Sequence, residues 1–259
     1  MRTYVVDAFT EVPFRGNPAG VVLLDRPADG TWMQAVAAEY GHAATAFVDV
    51  SAPTASPKPL RWFTPTTEVD LCGHATLATT HVLGGDQRFD TRSGILVCTA
   101  RDDGSVEMEL PADPPEPVTP PEELAAGLPG ITVLSVWRGR SDVLVEARSA
   151  AEVRAVHPDL AALAEIPTRG VLITARGDGR ADVVSRFFAP AAGIPEDPVT
   201  GSAHCTLASW WGERLGVAEF LAEQASERGG FVHVRLAAPG RVAIAGHAVT
   251  VVSGTLHAQ

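Results

Sequence analysis

Positive charge is in short supply in this chain: 20 Lys and Arg stand against 31 Asp and Glu over 259 residues, a formal net charge of −11. A nucleic-acid-binding face needs clustered basic residues to release counterions, and an acidic membrane surface attracts the same residues. Neither partner is expected. A buried anion site remains open, because local dipoles rather than net charge decide it. Cysteine is scarce as well: Cys72, Cys98 and Cys205 form no even framework and fit a reducing compartment. No run approaches the roughly 18–20 apolar residues of a membrane helix, and the start, Met1 to Asp7, lacks the apolar core of a signal peptide. A folded cytoplasmic protein is expected, large enough for one big domain or two ordinary ones.

What is present is an echo. Arg61-Trp62-Phe63-Thr64-Pro65, followed by Asp70-Leu71-Cys72-Gly73-His74, is answered about 130 residues later by Arg186-Phe187-Phe188-Ala189-Pro190 and Glu196-Asp197-Pro198-Val199-Thr200-Gly201-Ser202-Ala203-His204. In each copy an aromatic-X-Pro step ends an apolar strand, and a Gly turn opens an Ala/Leu/Thr-rich helix. By letter, Gly73-His74-Ala75-Thr76-Leu77-Ala78-Thr79 aligns with Ala203-His204-Cys205-Thr206-Leu207-Ala208-Ser209. Two helix N-termini with free N–H groups suit an anion, so a small carboxylate between two lobes is the first functional expectation.

The patterning places strands at 2–9, 20–25, 46–50, 60–63, 94–99 and 106–110, and a helix over 32–40 stopped by Gly41. A second helix, 74–83, is apolar on all sides and therefore buried. The Pro-rich stretch 111–121 reads as a semi-rigid linker between an N-terminal lobe, 1–110, and a C-terminal lobe, 122–259. Beyond it come strands at 131–137, 142–147, 169–175 and 182–188, a helix over 202–215, and two or three strands between 231 and 255. Helices are too few for a doubly wound sheet. The fold class is α+β: two pseudo-repeated lobes, each several strands around one apolar helix.

Three segments carry a resemblance to a known family: Val6-Asp7-Ala8-Phe9-Thr10 with Gly16-Asn17-Pro18-Ala19-Gly20-Val21, then Asp70 to Ala78, then Glu196 to His204. In order and spacing they resemble the PhzF-like phenazine-biosynthesis proteins, which share the diaminopimelate epimerase-like fold, and the likeness covers essentially the whole chain. It implies two rolled sheets, each around a central helix, with the active site in the inter-lobe cleft. It further implies isomerase chemistry that moves a proton and a double bond in a cyclic acid, no metal or organic cofactor, and a homodimer. One position departs: where that family commonly has Ser-Glu-Thr-X-Phe, its glutamate carrying the proton, this chain reads Ala43-Ala44-Thr45-Ala46-Phe47.

The expected catalytic pair is His74, an imidazole that titrates near operating pH, and Asp197, which the resemblance places against the substrate. From the residues alone each reads equally as a capping or packing group. Asn17, Gly73, Gly201 and Ser202 are the expected substrate-binding residues, with Ser202 also a possible cap. Cys72 is an alternative base: in racemases and epimerases of this fold two thiols act from opposite lobes, and Thr200 stands in the second place. It also reads as a small buried residue. Phe63, Phe187 and Phe188 are core residues or a wall for a substrate ring. His42, beside the vacant glutamate position, is expected to face solvent rather than to replace it. Cys72, His74, His204 and Cys205 lack the close Cys-X-X-Cys spacing of a metal centre, and no metal is expected. Three readings follow: the isomerase, a Cys72-based racemase or dehydratase, and a carboxylate-binding protein whose catalysis ended with Ala44.

Overall fold

The computed structural model describes residues 1–52 and 54–257. In chain order its elements are β1 (Arg2–Ala8), β2 (Asn17–Leu24), α1 (Gly30–Tyr40), β3 (Ala44–Asp49), β4 (Lys58–Phe63), β5 (Glu68–Val69), α2 (Gly73–Leu83), β6 (Gln87–Thr91), β7 (Gly94–Ala100) and β8 (Val106–Pro111). Then follow β9 (Glu116–Pro117), α3 (Leu124–Gly127), β10 (Val133–Arg138), β11 (Asp142–Ala147), α4 (Ala150–Ala155), α5 (Leu160–Ala164), β12 (Gly170–Arg176) and β13 (Val183–Ala189). A 3-10 turn (Pro190–Ala192) leads to β14 (Ile194–Asp197), α6 (Gly201–Leu215), β15 (Glu219–Gln224), β16 (Gly230–Leu236), β17 (Arg241–Gly246) and β18 (Ala248–Thr255).

Two compact units result, Met1–Glu109 together with the chain from Ala245 onward, and Leu110–Ile244. This differs from a simple 1–110 and 122–259 division in two ways. The C-terminal strand β18 belongs to the first unit, because it pairs antiparallel with β1 from Ala8↔Ala248 to Arg2↔Thr255. The Pro-rich stretch is the edge of the second unit rather than a free linker. The Ala112 N–H donates to the Gly240 carbonyl (2.9 Å), Glu116 and Pro117 pair with β10, and Asp113 accepts from the Thr206 hydroxyl (2.7 Å) and the Arg140 N–H (2.9 Å). Proline cannot donate to a ladder, but the residues between the prolines do.

Within the first unit β1 pairs with β2, β2 runs parallel to β3 across α1, and β3 and β4 are antiparallel. β6, parallel to β4, continues into the β6–β7–β8 meander. The helix α1 starts because the Asp29 carboxylate accepts the Trp32 N–H (2.8 Å), and it stops at Gly41, whose φ of 64° is the left-handed conformation a side chain resists. One face of the sheet buries Val22, Leu24, Phe47 and Phe63 against Met33, Val36 and Ala37 of α1. Gly20 must be Gly there, since a Cβ would come within 2.7 Å of the Tyr40 ring. The other face carries α2, whose residues His74 through Thr80 are all buried and which packs on β1, β2, β3, β7 and β18. A helix enclosed on every side needs no polar face.

The second unit repeats this order. β10 pairs with β11, β11 runs parallel to β12 across α4 and α5, and β12 pairs antiparallel with β13. β15 is parallel to β13, β16 follows it, and α6 packs on both. The short helices α4 and α5 take the place of α1; Phe188, Val184 and Ile173 are buried in the same cluster as Val153 and Leu163 of these helices. The sequence carries their caps, Ser149, which accepts the Glu152 N–H, and Asp159, which accepts those of Ala161 and Ala162, although periodicity over five or six residues does not announce them. Phe63 and Phe188 are therefore packed under the outer helices rather than offered to a ligand, while Phe187 lies buried beneath the Arg169 guanidinium (5.4 Å).

Candidate active site

The two helix starts are approached through the same device. In the first unit Arg61 on β4 forks onto Glu68 on β5 (Nε–Oε1 2.6 Å, Nη2–Oε2 2.8 Å), with its guanidinium 5.1 Å from the centre of the Phe63 ring. In the second, Arg186 on β13 forks onto Glu196 on β14 (2.7 and 2.9 Å), 4.9 Å from the Phe188 ring. Four residues after each glutamate comes the N-cap, Cys72 or Thr200, followed by the first helical glycine. These anchors fix the repeat register: Cys72 matches Thr200, Gly73 matches Gly201, His74 matches Ser202, and Thr76 matches His204. The letter alignment of His74 with His204 is thus two residues out. The fourth helical residue confirms the register by its function. Thr76 Oγ1 donates to the Cys72 carbonyl (2.7 Å), and His204 Nδ1 meets the Thr200 carbonyl at 2.8 Å.

At the start of α2, His74 is buried and its Nδ1 lies 3.5 Å from the Cys72 sulfur. Burial, and second the charge of His42, push its pKa down to about 4. The imidazole is therefore neutral at neutral pH, with one nitrogen lone pair able to take a proton. Cys72 itself is partly exposed. The other two thiols are different in kind. Burial pushes Cys98 up to about 11 and, with the Asp113 charge adding to it, Cys205 up to about 12, so both stay protonated.

At the start of α6 the side chains are locked to one another. Thr200 Oγ1 donates to Asp197 Oδ2 (2.6 Å), while Gln224 accepts the Thr200 N–H (2.8 Å) and donates to the Asp197 carbonyl (2.6 Å). Ser202 accepts from Arg169 Nη2 (3.0 Å), which leaves its own hydroxyl hydrogen to donate elsewhere. Arg169 in turn forks onto the buried Asp142 carboxylate, with Nε to Oδ1 at 2.8 Å and Nη2 to Oδ2. Burial works against its charge, yet the Asp142 carboxylate, with Asp197 and Asp113 also in its field, holds its pKa above the ordinary value.

The expected residues thus fall into two groups: Asn17, Cys72, Gly73 and His74 in the first unit, and Asp197, Gly201 and Ser202 in the second. Asn17, an expected substrate-binding residue, is the fully buried first residue of β2. His42 does not simply face solvent: it is half-buried and stacks edge-on to Tyr40 (6.3 Å between ring centres). Ala44 is buried at the start of β3, in register with Ala19. Sequence reasoning passed over Arg169, Asp142 and Gln224, because each reaches the site across the sheet from a strand end with no local pattern; only the step Arg169-Gly170 at a strand start hinted at it. Among the described residues no cluster of three or more His, Cys, Asp or Glu could hold a metal ion, and no helix is long and apolar enough to cross a membrane.

Residues 6–254 match the model of a family described as phenazine biosynthesis-like protein. An uncharacterized isomerase of Pseudomonas aeruginosa is 48% identical over 261 residues, covering 97% of this chain and 96% of that one. The crystal structure of a PhzF-family phenazine biosynthesis protein from Enterococcus faecalis superposes with a TM-score of 0.92 at 37% identity, covering 99% of both chains. A hydroxyproline epimerase from Agrobacterium vitis shares the fold at 14% identity, with a TM-score of 0.61 over 98% of this chain and 91% of that one.

Proposed function

The chain belongs to the phenazine biosynthesis-like family, it is an isomerase of that family, and we propose that it shifts a proton and a double bond within a small, cyclic, unsaturated amino or carboxylic acid, in secondary metabolism and without metal or organic cofactor. The observation that carries this reading is His74. It is a buried imidazole held neutral, with a pKa of about 4, in the first turn of a helix whose N–H groups attract an anion.

In this reading His74 takes a proton from a substrate carbon made acidic by conjugation, and the freed electron pair becomes the new double bond. Asp197, fixed by Thr200 and Gln224, assists placement of the proton. The carboxylate rests on backbone N–H groups at a helix start, for which Gly73 with Asn17 in the first unit and Gly201 with the Ser202 hydroxyl in the second are the candidates. Such preorganised donors are worth most where water is excluded. The cytoplasm is the expected compartment, and the resemblance adds a homodimer, which light scattering on the purified chain measures.

A second reading is favoured by the 3.5 Å approach of the Cys72 sulfur to His74: the thiol as base of a racemase or dehydratase acting on a cyclic amino acid. Proton NMR in D2O with pyrroline-carboxylates and dihydro-hydroxyanthranilate-type dienes separates the two. Deuterium entering with a shifted double bond supports the isomerase. Exchange confined to the α-carbon supports Cys72. A compound that binds and exchanges nothing overturns both and leaves a carboxylate-binding protein.

A further inference from the structure

Strand pairing matches the two units residue by residue. Phe63 pairs with Thr45 across β3 and β4, and Phe188 pairs with Val171 across β12 and β13. With the two phenylalanines equivalent, Ala44 matches Gly170, and their partners on the parallel strand, Ala19 and Asp142, match as well. One residue earlier, Ala43 stands where the second unit has Arg169. The first unit thus builds this place from two alanines and the second from an aspartate–arginine pair. The shared fold does not need the charges.

Arg169 is held from three sides. Nε and Nη2 fork onto Asp142, whose side chain is only 4% exposed, and Nη2 also donates to Ser202 Oγ (3.0 Å) in the first turn of α6. The guanidinium lies over the Phe187 ring, 5.4 Å from its centre. That ring fits there because residue 170 is glycine; a Cβ would run into it. Of the five N–H groups of a guanidinium, three are therefore committed. The two on Nη1 meet no acceptor among the described residues, and the side chain remains 43% exposed. Ser202, which accepts from Nη2, has its own hydroxyl hydrogen still to give. A planar cation fixed on one edge, with donors left open on the next, is preorganised for a carboxylate.

We infer that Arg169 is a substrate-binding, specificity-determining residue: one carboxylate oxygen of the substrate accepts from Nη1 and the other from the Ser202 hydroxyl. This rests on the reading of the substrate as a carboxylic acid, and it puts the acid group at the start of α6 rather than of α2. It also makes the free acid the required form. A carboxamide carries no charge to meet the guanidinium and would turn an N–H group toward donors, leaving polar groups without acceptors.

The probes are acetate, then 1-pyrroline-2-carboxylate and its carboxamide. In the wild-type chain an acetate titration is expected to shift the Arg169 side-chain ¹⁵N signal to saturation, against sodium chloride of equal ionic strength; a signal that does not saturate overturns the inference. By calorimetry the pyrroline acid is expected to bind on the order of tenfold or more tighter than its carboxamide. Arg169→Gln is expected to weaken the acid about 10- to 100-fold and the carboxamide hardly at all. Because Arg169→Gln leaves Asp142 buried without its cation, Arg169→Gln combined with Asp142→Asn removes both charges and is expected to fold and to show the same loss of preference. Acid and amide bound alike by the wild type, or a preference that survives in the double variant, overturns the inference. Proton exchange in D2O keeps the two readings apart. A wild-type chain that binds the acid through Arg169 and exchanges nothing overturns the isomerase and leaves this site standing. Exchange that half-saturates at the same acid concentration in wild type and double variant upholds the isomerase and overturns the role of Arg169.

Discussion

The first turns of α2 and α6 are reached by one route: a forked arginine–glutamate pair beneath an aromatic ring, four residues, an N-cap, a glycine. At that point the side chains part company. The α2 turn carries a thiol and a buried neutral imidazole, Cys72 and His74. The α6 turn carries hydroxyls, Thr200 and Ser202, tied to a carboxylate, an amide and a guanidinium. Val69 stands where the second unit has Asp197. The duplicated backbone thus supplies an anion-attracting helix end twice, with a thiol and a neutral imidazole at one end and hydroxyls tied to charged and amide groups at the other.

Changes at the two ends are expected to differ in kind as well as size. The largest effect is expected for His74→Gln, a fall of about 10²–10⁴ in exchange rate with binding retained, whereas Ser202→Ala weakens binding of the carboxylate by about tenfold and spares the rate at saturation; saturation kinetics beside calorimetric binding distinguish the two. Among the anchors, the Arg186 side chain is 11% exposed and Arg61 is 35% exposed. Arg186 also donates to the Val156 carbonyl at 2.7 Å. Arg186→Ala is therefore expected to cost about 3 kcal/mol, since a buried pair is broken, and Arg61→Ala about 1 kcal/mol or less, read by urea denaturation.

Acid should affect both ends. His74 and His204 each have a folded pKa near 4 against about 6.5 unfolded. The unfolded chain takes up a proton that the folded one refuses, so this stability is complete above about pH 6.5 and lost as the pH falls toward 4. The loss is up to about 3 kcal/mol for each histidine. His204→Thr, which copies the side chain at the matching place in α2, is expected to lower stability at pH 7 through the space it opens and yet to flatten this acid slope by about half, in melts from pH 7 to 4.5. The smallest effect concerns the thiols: a thiol reagent is expected to modify Cys72 rapidly in the native protein and Cys98 and Cys205 only after unfolding.

The doubled architecture was legible because its markers are local: Arg-X-Phe at the end of a strand, and a glycine opening a long apolar helix. The repeat register was not. The shared letters of Gly73-His74-Ala75-Thr76 and Ala203-His204-Cys205-Thr206 favour an alignment that the caps and ion pairs displace by two, and only three-dimensional partners reveal it. His74 and Ser202 could be named as candidates because they stand beside helix-opening glycines. Arg169, Asp142 and Gln224 could not, since each meets its partner across 24 or more residues of sequence. The Pro-rich stretch misled for the converse reason: proline composition speaks for local stiffness and is silent about the hydrogen bonds made by Ala112 and Asp113.

The pairing of β18 with β1 has a consequence for biosynthesis. The second unit is one unbroken stretch of chain, whereas the first needs a strand made some 240 residues after its partner. On the ribosome the part translated earliest is then the last to be completed: β1 waits with one edge unpaired, a template for wrong partners, until the second unit and then β18 have emerged. Order of manufacture and order of closure run in opposite directions, and the unit that carries His74 is completed last.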